Sequence, residues 1–211
     1  MFSVPSVGKT SSPELYSRAH EKKSALQQTI QFENHWTFWF DRYPGPGLTL
    51  EEYQAALVKL GTVNTVQDFW KWFNNLPPIH RLEQRTGYHI MKKGILPLWE
   101  DSSNINGGHL SVRFKKEYAD LVWTRLALAV VGEQFSWILD DSDDVCGITI
   151  STRKTECLIA IWNSNAKTID LKKLQRQLSL QIPHIDWIEP VYKVHAEEVA
   201  KFNQSNTSPK K

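Results

Sequence analysis

Polar and apolar positions alternate in His109-Leu-Ser-Val-Arg-Phe114, which predicts a strand with Leu110, Val112 and Phe114 on one face and His109, Ser111 and Arg113 on the other. Val145 to Thr152 and Cys157 to Trp162 read as two further strands joined by a short polar turn, a hairpin pattern. His35-Trp-Thr-Phe-Trp-Phe40 is an aromatic-rich strand candidate that runs into the loop Pro44-Gly45-Pro46-Gly47. A strand is also expected within Ile185 to Val194. The period changes to 3.6 elsewhere. Thr65-Val-Gln-Asp68 matches a helix-opening box and starts a helix through about Asn74. Residues 116 to 131 carry a long apolar stripe ending at Gly132, a C-cap candidate. Leu171, Leu174 and Leu178 mark a helix from about Ile169 to Leu180. Together these elements predict an α+β fold: a curved, mostly antiparallel sheet with three helices packed on its convex face.

The chain of 211 residues is long enough to bury a substantial core as one domain. Residues 1–31 are polar and read as a disordered N-terminal arm, residues 32–194 as the folded domain, and residues 195–211 as a C-terminal tail. No apolar run is long enough to span a bilayer, and no signal-peptide core is visible, so no membrane partner is expected. Cys146 and Cys157 alone make no disulfide framework, and no Cys/His spacing resembles a metal site. These features favour the cytoplasm or nucleus. A net charge of +2 is too small for binding nucleic acid mainly through phosphate neutralisation. The nine tryptophans are more than a core needs, because each indole N–H wants a partner. Any nucleic-acid contact should therefore be small and led by stacking.

Trp99-Glu100 sits in a segment punctuated by Pro97 and closed by Gly107-Gly108. An indole face stacks on a nucleobase, more strongly if the base is cationic. An ionised carboxylate accepts two parallel N–H bonds, as a guanine edge can offer. The helix after Thr65 carries Val66, Phe69, Trp70, Trp72 and Phe73 over roughly 160° of its circumference, wider than one core stripe. Periodicity alone leaves two readings open: both tryptophans in the core, or one exposed as an anchor for a partner helix.

Asn64-Thr-Val-Gln-Asp-Phe-Trp70, Gly94-Ile-Leu-Pro-Leu-Trp-Glu-Asp101 with Gly107-Gly108, Trp123 ahead of Gly132-Glu133, Asp144-Val-Cys-Gly147 and Ile159-Ala-Ile-Trp162 resemble translation initiation factor 4E in order and spacing. That family binds the 7-methylguanosine cap of messenger RNA. The resemblance implies that residues 32–194 are a cap-binding domain. In it Tyr53 and Trp99 stack on the base, Glu100 reads the guanine edge, Trp162 lies against the methyl group, and Arg153 holds phosphate. Tyr53 falls where the usual factor has tryptophan, which is similar to the divergent class called 4E homologous protein, whose members bind caps more weakly and often repress translation. His109 stands at a basic position of the family and is expected as a pH-sensitive phosphate contact. Leu158 replaces a phosphate-binding lysine. Arg113 and Lys154 are alternative cations, although solvated surface charges are the commoner role for such residues.

On the opposite side, Val66, Trp70, Leu128 and Gly132 match the surface where helical peptides of scaffold or 4E-binding regulatory proteins dock. Arg125 there reverses a charge that is acidic in the usual factor, and Ile30-Gln31-Phe32 replaces the family's His-Pro-Leu. The implied protein is a monomer that needs no cofactor or metal and is not an enzyme. Its partners are capped messenger RNA and a regulatory helix. The cytoplasm is the expected location, with the nucleus or RNA granules as further ones. The expected role is a weak-binding cap occupant that represses translation; the alternatives are an initiation factor that recruits the scaffold, or an interaction module with reduced cap binding.

Overall fold

The computed structural model describes residues 29–43, 45, 49–185 and 188–207, so the expected arm lies almost wholly outside the described residues. Seven strands form one sheet: β1 (Gln31–Arg42), β2 (Val58–Thr65), β3 (Thr86–Lys92), β4 (Gly108–Lys115), β5 (Val145–Thr152), β6 (Glu156–Asn163) and β7 (Ile188–Val194). Their order is β2-β1-β3-β5-β6-β4-β7, and every neighbouring pair is antiparallel. Register shifts interrupt the β1–β2, β4–β7 and β5–β6 ladders. Such irregularities increase local twist and bend a sheet.

Side-chain alternation divides the sheet into two faces. Ile90, Ile148, Ile150, Ile159, Ile161, Leu110, Val112 and Phe114 enter the main core. Three helices cover that convex face: α2 (Val66–Phe73), α3 (Ala119–Val131) and α4 (Leu171–Gln181). They contribute Phe69, Trp123, Leu126, Leu174 and Leu178 to the same core. On the concave face a smaller cluster joins Met91, Cys146, Ala160 and Trp162 with Trp39, Trp99 and Leu158.

Among the described residues there are two α-helices more than the pattern predicts. Short α1 (Leu50–Ala56) opens with a full capping box between Thr49 and Glu52. The last, α5 (His195–Thr207), occupies the segment expected to be a tail. Both lie on the concave side, where Leu50, Tyr53 and Phe202 line one cavity. Thr65 caps α2 by accepting from the Asp68 N–H at 3.0 Å. Gly132 caps α3, but the left-handed turn falls one residue later, on Glu133 at φ 56°. Glu133 is fixed there by bonds from Asn34 Nδ2 at 2.8 Å and Ser136 Oγ at 2.6 Å.

Candidate functional site

A cavity of about 600 Å³ opens on the concave face. One wall is the loop between β3 and β4, which carries Trp99 and Glu100. Asp101 shapes that loop by accepting from the Leu96 and Ser103 N–H groups, both at 2.9 Å. Buried Asn104 donates to the carbonyls of Leu96 and Leu98, both at 2.8 Å. The loop closes through Gly107, where a Cβ would lie 1.8 Å from the Asn163 carbonyl oxygen, so only glycine fits that approach. These bonds hold Trp99 and Glu100 half-buried at the cavity rim.

Beneath Trp99 the rings form a series. Trp99 and His109 lie nearly parallel, with centroids 6.3 Å apart at 9°. His109 continues to Trp162 at 5.6 Å and to His195 at 5.2 Å. The hydrogen bonds fix the histidine tautomers. His195 Nδ1 lies 2.8 Å from the Asn104 carbonyl and must donate to it. His195 Nε2 then holds a lone pair and accepts from His109 Nδ1 at 3.1 Å. This geometry excludes a charge on both rings at once, since two cations would set N–H against N–H. Burial, then the adjacent His195, pushes the His109 pKa down to about 3, and burial also lowers that of His195. The expectation of His109 as a pH-sensitive phosphate cation is therefore corrected: it is a buried neutral ring supporting the cavity floor.

The opposite wall comes from α1 and β1. Tyr53 Oη donates to Asp41 Oδ2 at 3.1 Å. Burial and the Asp41 carboxylate push the Tyr53 phenol far above its ordinary pKa, so it remains a donor. Asp41 is itself buried, and His89 Nε2 lies 3.3 Å from its Oδ1, an ion-pair distance rather than an aligned hydrogen bond. His89 Nδ1 is 2.9 Å from Thr149 Oγ1. Burial of Asp41 opposes ionisation, but His89, the Tyr53 hydroxyl and the Arg153 charge outweigh it and keep the carboxyl below its usual range.

All six residues assigned from sequence to ligand contact line this one cavity: Tyr53, Trp99, Glu100, His109, Arg153 and Trp162. Leu158 lines it as well, whereas Arg113 and Lys154 are exposed outside it. Arg85 is a cation that sequence reasoning missed. The β3–β5 pairing sets Gly87 opposite Ser151, which brings Arg85 beside the Arg153 turn, and both guanidinium residues line the cavity. No motif marks Arg85; its signal is its left-handed backbone, φ 62°, with its N–H donating to the Thr152 carbonyl at 2.9 Å.

On the convex side Trp70 and Trp72 are each 36% exposed, so neither is a full core residue. Trp72 lies over Gly61, where a Cβ would come within 2.4 Å of its ring. Trp70 packs edge-on against Phe73 at 5.7 Å and leaves its outer surface open. Val66 and Leu128 are half-buried, while Gly132 and Arg125 are exposed.

Residues 31–210 match the model of the eukaryotic initiation factor 4E family. The chain belongs to this family. It is 37% identical over 160 residues to the eukaryotic translation initiation factor NCBP of Triticum aestivum, covering 74% of this chain and 66% of that protein. It therefore spans just under two thirds of that relative's length. With initiation factor 4E-1 of Phaseolus vulgaris it shares 31% identity over 90% of this chain and 80% of that protein. Among solved structures, C. elegans eIF4E-3 in complex with the 4E-binding protein Mextli and a cap analog superposes with TM-score 0.69 at 28% identity, covering 82% of this chain and 96% of that one. The 4E fold is thus common to chains that differ at most positions.

Proposed function

We propose that this chain binds the 7-methylguanosine cap of messenger RNA in the concave cavity, and that it regulates translation as a weak-binding member of the 4E family that represses. The observation that carries this reading is the convergence of Tyr53, Trp99, Glu100, Arg153 and Trp162 on one cavity. Tyr53 and Trp99 take the two faces of the base, and Glu100 accepts from its N1–H and amino group. Trp162 lies against the methyl group. Methylation makes the base cationic, so aromatic faces and a carboxylate select it over ordinary guanine. Arg153 and Arg85 attract the phosphate chain. Each stack contributes about 1–3 kcal/mol. A phenol overlaps the base less than an indole does, and Leu158 and neutral His109 supply no charge where the family has cations. Weak binding follows. The chain performs no chemistry in this reading.

On the convex face, Val66, Trp70, Leu128 and Gly132 receive a helical peptide of a scaffold or 4E-binding regulatory protein. An exposed tryptophan beside smaller apolar groups is a common source of interface energy. The same exposed Trp70 favours a second reading, in which the chain recruits the scaffold as an active initiation factor.

Titration of tryptophan fluorescence with 7-methyl-GTP and with GTP tests the first claim. The methylated nucleotide should bind more tightly, and Glu100→Ala should abolish its binding; equal affinity for the two nucleotides would refute the reading. In a cell-free translation extract, added protein should lower the yield of a capped reporter and spare an uncapped one. Stimulation of the capped reporter would select the initiation-factor role instead.

A further inference from the structure

Tyr53 is carried by a short helix with little packing of its own. Helix α1 has seven residues and fully buries none of them, with Leu50, Tyr53 and Ala56 half-buried. A helix this short is marginal without packing. The loop side offers little more, since Tyr43 touches Tyr53 only edge-on at a centroid distance of 6.3 Å. The firm anchor is Asp41 in β1, a strand paired on both sides. Asp41 lies opposite Gly87 of β3, where a Cβ would stand 3.0 Å from Asp41 Oδ1. The missing side chain at Gly87 leaves room for the carboxylate. Each oxygen then has its own neighbour: His89 Nε2 at 3.3 Å for Oδ1, and the Tyr53 hydroxyl at 3.1 Å for Oδ2.

We propose that Asp41 is a positioning residue for cap binding: its carboxylate, seated over Gly87 and faced by His89, tethers the Tyr53 hydroxyl and so sets one stacking wall before the ligand arrives. This rests on the reading of the cavity as a cap slot with Tyr53 stacking. A charged acceptor holds the phenol more firmly than a neutral one. It also draws the hydroxyl proton toward itself and enriches the ring in electron density, which favours a cationic base on the ring face.

The test uses the full chain, 7-methyl-GDP as ligand, and quenching of tryptophan fluorescence as the signal. Tyr53→Phe and Asp41→Ala each delete the same tether, so each should weaken binding about fivefold. The double variant should be no weaker than either single one. Asp41→Asn keeps an uncharged acceptor and should fall between wild type and Asp41→Ala. Tyr53→Phe leaves the Asp41 neighbourhood intact, so it reads the tether even if Asp41→Ala folds poorly. Unchanged affinity in Tyr53→Phe, or losses that add in the double variant, would overturn the tether while the wild type still binds. Failure of the wild type to bind 7-methyl-GDP would instead overturn the cap reading on which it stands.

Discussion

Mild acid should destabilise this protein through its buried histidine pair, before most carboxylates titrate. His109 has a folded-state pKa near 3, because burial and the adjacent His195 both oppose its charged form. In an unfolded chain a histidine titrates near 6.5. The sign follows from linkage. Between the two values the unfolded state binds a proton that the folded state refuses, so stability is full above about pH 6.5 and is lost as the pH falls toward 3. One proton of difference corresponds to about 1.4 kcal/mol per pH unit. Between pH 7.5 and 5.0 the loss from His109 alone is about 2 kcal/mol. His195 is shifted in the same direction and adds to it. For a chain of this size each kcal/mol lowers the melting temperature by about 2–4 °C. Urea unfolding followed by tryptophan fluorescence at several pH values between 7.5 and 5.0 measures the slope. His109→Phe should remove about one proton from it. A wild-type stability that stays level or rises over this range would refute the buried neutral pair.

Three further outcomes are expected. Gly107→Ala should destabilise the fold by more than 3 kcal/mol in urea titration, since its Cβ would meet the backbone of Asn163 at 1.8 Å. If the cavity takes the cap as proposed, Arg85→Ala should weaken 7-methyl-GTP binding several-fold in a fluorescence titration and leave binding of 7-methylguanosine, which has no phosphate, unchanged. Asp101→Ala frees the N–H groups of Leu96 and Ser103 and should cost about 1–3 kcal/mol of stability. It should also weaken cap-analogue binding by loosening the Trp99-Glu100 loop, with the same titration as the measure.

The elements legible in the sequence are those whose apolar residues keep a regular period or a compact run. β4 shows clean alternation of residue type because Leu110, Val112 and Phe114 enter the core while polar His109, Ser111 and Arg113 take the other face, where Arg113 is exposed and the other two are buried. β3 is buried on both faces, convex core and concave cavity, so Thr86–Lys92 has no period of two and was not anticipated. α1 carries its own signal, Thr49 three residues before Glu52, but fully buries no residue and has no apolar stripe to accompany it. α5 is polar for most of its length, and its first residue, His195, makes two ring bonds that join segments far apart in sequence. The same limit holds in the cavity. Tyr53, Trp99, Glu100, Arg153 and Trp162 were reachable from motif and resemblance. Asp41, His89 and Arg85 take their meaning from strand pairing. His109 illustrates the opposite error, since its residue type suggested a cation and its burial makes it neutral.

The bond from His195 to the Asn104 carbonyl spans 91 residues of sequence. A chain growing from its N-terminus makes the Trp99-Glu100 loop long before the histidine that braces it. The loop therefore waits, through nearly half the length of the chain, for its last support. A nascent chain halted short of His195 lacks both that brace and Phe202 at the rim of the cavity. Assembly of the cavity wall is thus coupled to synthesis of the chain through His195 and Phe202.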